Sequence, residues 1–181
     1  DHPFEVSVAM LTATGVDGAS LAQATEGLDL MEIPYSSGSD ANSALVGGHC
    51  DLYVCGWDDI SGLVESGDIV PILALAENRM SIAPDLQCSV ENGINSVMGP
   101  WRGIFAKKGT PQEAIDALVA AIEEAKQSDT WKEFTHNAAY DERPIPAPGE
   151  ETVAFCHQEY KDLHDYMVEQ GTLVKDYEDL K

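Results

Sequence analysis

A strand-like run, a polar loop and a helix-like run follow one another three times between Glu5 and Gly67, and this alternation restricts the fold more than any other feature. Glu5 to Leu11 has the β-branched and apolar content of a strand, and residues 12 to 18 read as a turn feeding a short helix through Ala24. Leu28 to Ile33 predicts the second strand, residues 34 to 39 its loop, and Asp40 to Val46 a helix with Ser and Asp at its start and Gly47-Gly48 after its end. Asp51 to Cys55 predicts the third strand, followed by Gly56-Trp57-Asp58-Asp59 and a helix from about Ile60 to Ser66, closed by Gly67. Ile69 to Ala76 is almost continuously apolar, the pattern of a strand covered on both faces. Strands alternating with helices imply a mostly parallel sheet with right-handed crossovers, hence an α/β fold with flanking helices. Ligands of such sheets sit beyond the carboxyl ends of the strands, here the loops at 12–18, 34–39 and 55–59.

The rest of the chain is less regular. Residues 78 to 95 read as a surface excursion with at most one short helix, and Ser96–Met98 and Arg102–Ala106 as extended segments around a kink at Gly99-Pro100-Trp101. Thr110 as cap and Pro111 in the first turn predict the start of a long helix with Ile115, Leu118, Val119 and Ile122 on one face. A helix over 129–137, a Pro-rich connector at 144–148 and a last helix over 149–170 complete the order.

Charge excludes one class of partner. Against 32 Asp and Glu stand 10 Lys and Arg, a formal net charge of −22, which repels phosphate backbones and anionic lipid headgroups. No nucleic-acid partner is expected. No apolar stretch reaches the ~18 residues of a membrane span, and the first residues lack the basic and apolar regions of a signal peptide. Cys50, Cys55, Cys88 and Cys156 form neither a C-x-x-C pair nor a His-rich metal pattern. Cys50 and Cys55 flank one strand, roughly 16 Å apart and too far for a mutual disulfide, while a bridge from either to Cys88 stays open. His157 and His164 lie two turns apart on one helix and, with Glu159 or Glu150, would make at most a weak metal site; a solvated face is the expectation. No nucleophile elbow, P-loop or dinucleotide fingerprint appears, and no metal or cofactor is expected.

Four strings carry a family likeness: Ile33-Pro34-Tyr35-Ser36-Ser37-Gly38, Ala44 to Leu52, Val64 to Ala74, and Trp101 to Pro111. In this order they resemble the tripartite tricarboxylate transporter receptors, also called Bug receptors, from about residue 28 to 170. The resemblance implies a type II periplasmic binding protein-like fold, two lobes closing on a ligand, with the chain supplying the second lobe as residues 1–106. Residues 107–181 are then a C-terminal helical segment that would pack on a first lobe. Nothing in the sequence corresponds to that first lobe, so a fragment, a shortened chain or one chain of a split protein is expected, with a separate first lobe or a homodimer covering the helices. The implied function is a periplasmic or extracytoplasmic receptor that is not an enzyme and hands a small organic carboxylate, or an amino-acid-like ligand, to the membrane components of a tripartite transporter. The alternatives are an enzyme on a related two-lobed scaffold, using Cys55 or Asp58, and an interaction module for a separate first-lobe chain. Two departures from the family pattern, Asp17 for a small hydroxyl residue and Ser36 for a Lys, point away from a simple dicarboxylate and towards a ligand with an amine or cation, or a bound counter-ion.

The candidate ligand-binding residues follow from the three loops and the resemblance. Thr12, Thr14, Ser36, Ser37 and Ser39 offer hydroxyls, and Gly15, Gly38 and Gly56 offer backbone N–H donors at helix starts, which hold carboxylates without Lys or Arg. The same Ser and Thr residues also suit caps and turns. Asp17 lies in the first loop. Arg102 would grip a carboxylate or pair with a neighbouring acid, and Trp57 and Trp101 would wall the cleft or fill a core. Asp58 and Asp59 would read an ammonium group or cap the next helix.

Overall fold

The computed structural model describes residues 6–11, 16–26, 28–143 and 146–171. Strand β1 (Ser7–Met10) is followed by helix α1 (Val16–Ala24), β2 (Met31–Pro34), α2 (Gly38–Val46), β3 (Leu52–Tyr53) and α3 (Trp57–Ser66). The strands form a parallel three-stranded sheet in the order β2-β1-β3. Sequential strands flanking a central first strand require a helical crossover on each side, which α1 and α2 supply.

The period of two along β1 builds two cores. Ala9 faces α2 and packs with Ala41, Ala44 and Cys50, while Val8 and Met10 face the other way and pack with Leu21 of α1. Val8, Ala9 and Met10 are fully buried, so this short strand anchors both layers. Asp51 fixes β1 against the start of β3, accepting from the backbone N–H of Ser7 at 2.8 Å and from its hydroxyl at 2.6 Å.

Beyond α3, which ends in Gly67 at φ 79°, the chain leaves the sheet. The strand expected over Ile69 to Ala76 does not form: Val70 and Ile72 are 79% and 70% exposed, and a single bridge joins Ala74 to Cys88. Its apolar content signals a surface meant for burial, but Pro71 has no N–H to give a ladder and no described strand lies alongside it. The 78–95 excursion holds one 3₁₀ turn, Val90–Asn92, and is tied down by buried Ser89, which donates to the carbonyl of Ser96 at 2.6 Å. Ser96 in turn donates to the carbonyl of Ser20 in α1, and Ser20 to that of Met98, so the 96–98 segment is held along α1 by hydroxyls and not by sheet pairing.

Helices α4 (Gln112–Ala125), α5 (Asp129–Asn137) and α6 (Glu150–Glu169) follow, with a 3₁₀ turn at Tyr140–Glu142. Pro111, not Thr110, occupies the cap of α4; the Thr110 hydroxyl instead closes a turn on the Lys107 carbonyl. Pro at a helix cap leaves no N–H unsatisfied, which is the physical reason it can take that place. α6 lies against α1, and Arg143 bonds both the Gly99 carbonyl at 2.9 Å and Glu159 of α6 at 3.1 Å.

Candidate ligand-binding site

The carboxyl ends of β2 and β3 bring the starts of α2 and α3 together. Ser37 caps α2: its hydroxyl accepts from the Asp40 N–H at 3.2 Å and lies 3.0 Å from the Ser39 hydroxyl. Ser36 and Ser39 are exposed beside it. Helix α3 begins at Trp57, three residues before the sequence suggests, so its cap is Gly56 and neither Asp58 nor Asp59 caps it. Both carboxylates sit in the first turn, where the helix dipole favours them.

Between the two helix starts the polar groups are short of partners. Asn42 of α2 donates through Nδ2 to the Asp59 carbonyl at 2.8 Å, which fixes the amide orientation and leaves Oδ1 buried and unpartnered. The Tyr53 hydroxyl and the Trp57 indole nitrogen are buried and unpartnered as well. A side chain at position 38 would begin 3.1 Å from Asp59 Oδ1 and 3.6 Å from the Tyr53 hydroxyl, so Gly38 lets the two approach the first turn of α2. Burial, then the neighbouring Asp59, raises the Asp17 carboxyl above its ordinary value. Burial, then Asp58, raises Asp59, with Arg102 opposing. Burial also raises the Tyr53 phenol, and the acids around it raise it further. The same causes push the Cys55 thiol far up, so it stays a thiol at neutral pH and is no activated nucleophile.

Asp58 closes one side. It accepts from Arg102 Nη2 at 2.8 Å and from the Tyr140 hydroxyl at 2.7 Å, and the Arg102 guanidinium lies 4.8 Å from the centre of the Tyr140 ring. Arg102 is thus in an ion pair with Asp58, while its side chain stays 60% exposed. Trp101 turns away onto Phe105 and Phe155, at 6.1 and 5.5 Å between ring centres. Thr12, Thr14 and Gly15 lie outside the described residues. The structure brings Asp17, Ser37, Gly38, Gly56, Trp57 and Asp58 to the carboxyl edge, and adds three residues that sequence reasoning missed. Asn42 falls one turn after Ser39 on the same helix, and Tyr53 ends the third strand; both positions carried a signal. Tyr140, 82 residues from Asp58, carried none.

All four cysteines are free, and Cys50 and Cys88 are each buried in separate surroundings. Among the described residues no group of three His, Cys, Asp or Glu side chains is placed to hold a metal; His164 lies against Asp165, and Glu159 bonds Arg143. A separate open cleft of about 560 Å³ lies at the amino-terminal edge of the sheet, lined by Glu26, Asp29, Glu32 and Glu169 among others. The three buried polar atoms without a partner among the described residues belong to Asn42, Tyr53 and Trp57 at the carboxyl edge instead, and unmet hydrogen-bonding capacity marks a polar ligand site better than volume.

Residues 7–166 match the model of the tripartite tricarboxylate transporter family receptor, TctC. The chain belongs to that family. Among curated relatives, a UPF0065 protein of Bordetella pertussis is 29% identical over 66% of this chain and 38% of its own length. Protein BugT of the same organism is 28% identical over 96% of this chain and 54% of its own. The chain thus spans about half the length of the relatives it matches, or less. Among solved structures, a periplasmic transporter superposes with a TM-score of 0.81 at 22% identity, over 96% of this chain and 58% of its own. The periplasmic binding protein BugD does so with 0.78 at 23%, over 94% and 58%. A Rhodopseudomonas palustris protein solved with adipate gives 0.79 at 18%, over 94% and 57%. MatC from the same organism, solved with malate, gives 0.69 at 22%, over 90% and 56%. The fold is therefore that of the periplasmic binding proteins of the TctC type, with the α/β architecture and parallel sheet expected.

Proposed function

We propose that this TctC-family chain forms part of an extracytoplasmic solute receptor, which binds a small carboxylate-bearing molecule and delivers it, unchanged, to the membrane components of a tripartite transporter. The observation that carries the reading is the set of buried, unpartnered polar atoms of Asn42, Tyr53 and Trp57 at the carboxyl edge of a parallel sheet. Left without a partner, such groups each cost about 1–3 kcal/mol, and a polar ligand seated among them would recover that cost. Membership of the receptor family and the malate and adipate in two neighbouring structures support a carboxylate as the ligand class. The Ser36, Ser37 and Ser39 hydroxyls at the start of α2 would take the carboxylate, and closure of the first lobe over this edge would produce the form that the membrane partner recognises. An enzyme built on Cys55 or Asp58 is disfavoured, because the first stays protonated and the second is held by Arg102 and Tyr140. No described helix is long and apolar enough to cross a membrane.

The test is a thermal-shift and calorimetric screen against mono-, di- and tricarboxylates and amino acids, with the ligand recovered and identified afterwards. The expected result is a dose-dependent rise in Tm, about 2.7 kcal/mol of stabilisation at a hundred times Kd, and an unaltered ligand. A flat response to every compound, or a chemically changed ligand, would overturn the proposal.

A further inference from the structure

The 3₁₀ turn at Tyr140–Glu142 reaches further across the molecule than its three residues suggest. Tyr140 donates to Asp58 in the first turn of α3. Glu142 accepts from the backbone N–H of Ser81 and, at 2.7 Å, from its hydroxyl, in the 78–95 excursion. Arg143, the next residue, donates to the Gly99 carbonyl at the kink and to Glu159 of α6. Asp58, Ser81 and Gly99 lie 82, 61 and 44 residues away from their partners in the chain. The stretch from Gly99 to Ala106 makes no backbone–backbone hydrogen bond among the described residues, so side chains such as Arg102 and Arg143 hold it in place.

Ala139, which precedes the turn, sits at φ 56° and ψ 29°, and among the described residues it is the one residue other than glycine with a positive φ. It follows the cap of α5, a place that helices ordinarily give to Gly or Asn, because the left-handed conformation brings a Cβ close to the following carbonyl oxygen. A residue with a Cβ keeps that conformation where its surroundings hold it. The anchors on Asp58, Ser81 and Gly99 supply the hold, and the left-handed bend in turn aims the three side chains at them.

We propose that this turn is a latch: Ala139 and the three anchors hold or let go together, and through them the start of α3, the 78–95 excursion and the kink at Gly99 are fastened to the helical segment as one unit. None of the anchoring bonds is fully buried, so each is modest by itself and the unit depends on all of them. The latch also bears on the candidate site, because Asp58 closes one side of it: when the turn lets go, the first turn of α3 loses its hold on the helical segment. This inference does not depend on the receptor reading or on the class of ligand.

Amide hydrogen exchange on the full chain tests it, read by mass spectrometry in peptides covering the start of α3 and residues 80–83, where the Ser81 amide is itself one of the anchors. Tyr140→Phe removes the bond to Asp58 alone, yet it should speed exchange at Ser81 by about threefold or more, and Glu142→Ala should do the same at the start of α3. Ala139→Val, whose branched side chain suits the left-handed region still less, should speed both peptides by about tenfold, although residue 139 makes no hydrogen bond to either segment. Ala139→Gly takes up that conformation freely and should leave both no faster than in the wild type. Met10→Ala weakens the core elsewhere and should leave both unchanged, because the latch opens without unfolding the sheet. Silence at Ser81 in Tyr140→Phe, or at α3 in Glu142→Ala, means independent contacts and overturns the latch. So does an Ala139→Val protein that exchanges like the wild type, an Ala139→Gly protein that exchanges faster, or a Met10→Ala protein that speeds both peptides as much as the anchor variants do. Should Ala139→Val fail to fold, the two anchor variants and Met10→Ala decide.

Discussion

Replacing Tyr140 with Phe removes one oxygen and leaves the ring, so it isolates the bond that ties the helical segment to the start of α3. In the wild type that hydroxyl donates to Asp58 Oδ2 at 2.7 Å, and Arg102 donates to the same oxygen at 2.8 Å. A hydrogen bond to a charged acceptor contributes about 1.5–3 kcal/mol, whereas an ion pair as open as Arg102, 60% exposed, contributes about 0–1 kcal/mol. The stacking of Arg102 on the ring, about 0.5–1 kcal/mol, survives the change. Because Asp58 is itself partly exposed, the lower end applies, and Tyr140→Phe is expected to lose about 1–2 kcal/mol. With a urea slope near 2 kcal/mol/M, the unfolding midpoint moves down by roughly 0.5–1 M. The assay is a double-mutant cycle with Asp58→Ala: in that background Tyr140→Phe should cost almost nothing, since the acceptor is gone. Absorbance titration gives a second reading. The Tyr140 phenol is pushed up to about 12 by burial first and by Asp58 second, so in Asp58→Ala it falls only part of the way towards its ordinary value of 10.0. An equal loss in both backgrounds, or a phenol that does not move, would refute the clasp.

Two further outcomes test the packing and the buried acids. Met10→Ala opens a hole in the fully buried end of the central strand and should cost about 2–5 kcal/mol in urea denaturation; a loss below that range would mean the α1 layer collapses onto the gap. Asp17→Asn should stabilise the protein near neutral pH. The wild-type carboxyl is raised above 3.8 by burial and by Asp59, so the stability linked to its protonation is present below that value and is lost as pH rises through the folded pKa. The variant escapes that loss, and its advantage should shrink as both proteins are compared at lower pH; a constant difference across the range would show that burial of this charge is not the cause.

How far the site could be read in advance differs residue by residue. Ser37 and Gly38 follow from a strand, a polar loop and a helix start in order, because capping is local chemistry and local chemistry is written in neighbouring residues. The helix that begins at Trp57 instead of Ile60 shows the limit of that reading. Boundaries depend on the terminal turn and its surroundings, and here the shift turns two prospective caps into first-turn carboxylates. Ile69 to Ala76 fails for a related reason: an apolar run states that it is meant to be covered, not by what, and sheet pairing needs a neighbour that sequence spacing does not supply.

Alternation of strand and helix by itself determined the parallel α/β layer, and the charge balance set the expectation against polyanionic partners. Tertiary structure alone decided which polar groups stay without partners. Arg102 and Tyr140 both reach Asp58 because the chain returns to α3 across separations of 44 and 82 residues, while Asn42, Tyr53 and Trp57, on three different elements, keep buried polar atoms without a partner. Periodicity encodes the face a residue takes within its own element; whether a buried donor or acceptor finds its complement depends on long-range packing, and that is settled only when the elements meet.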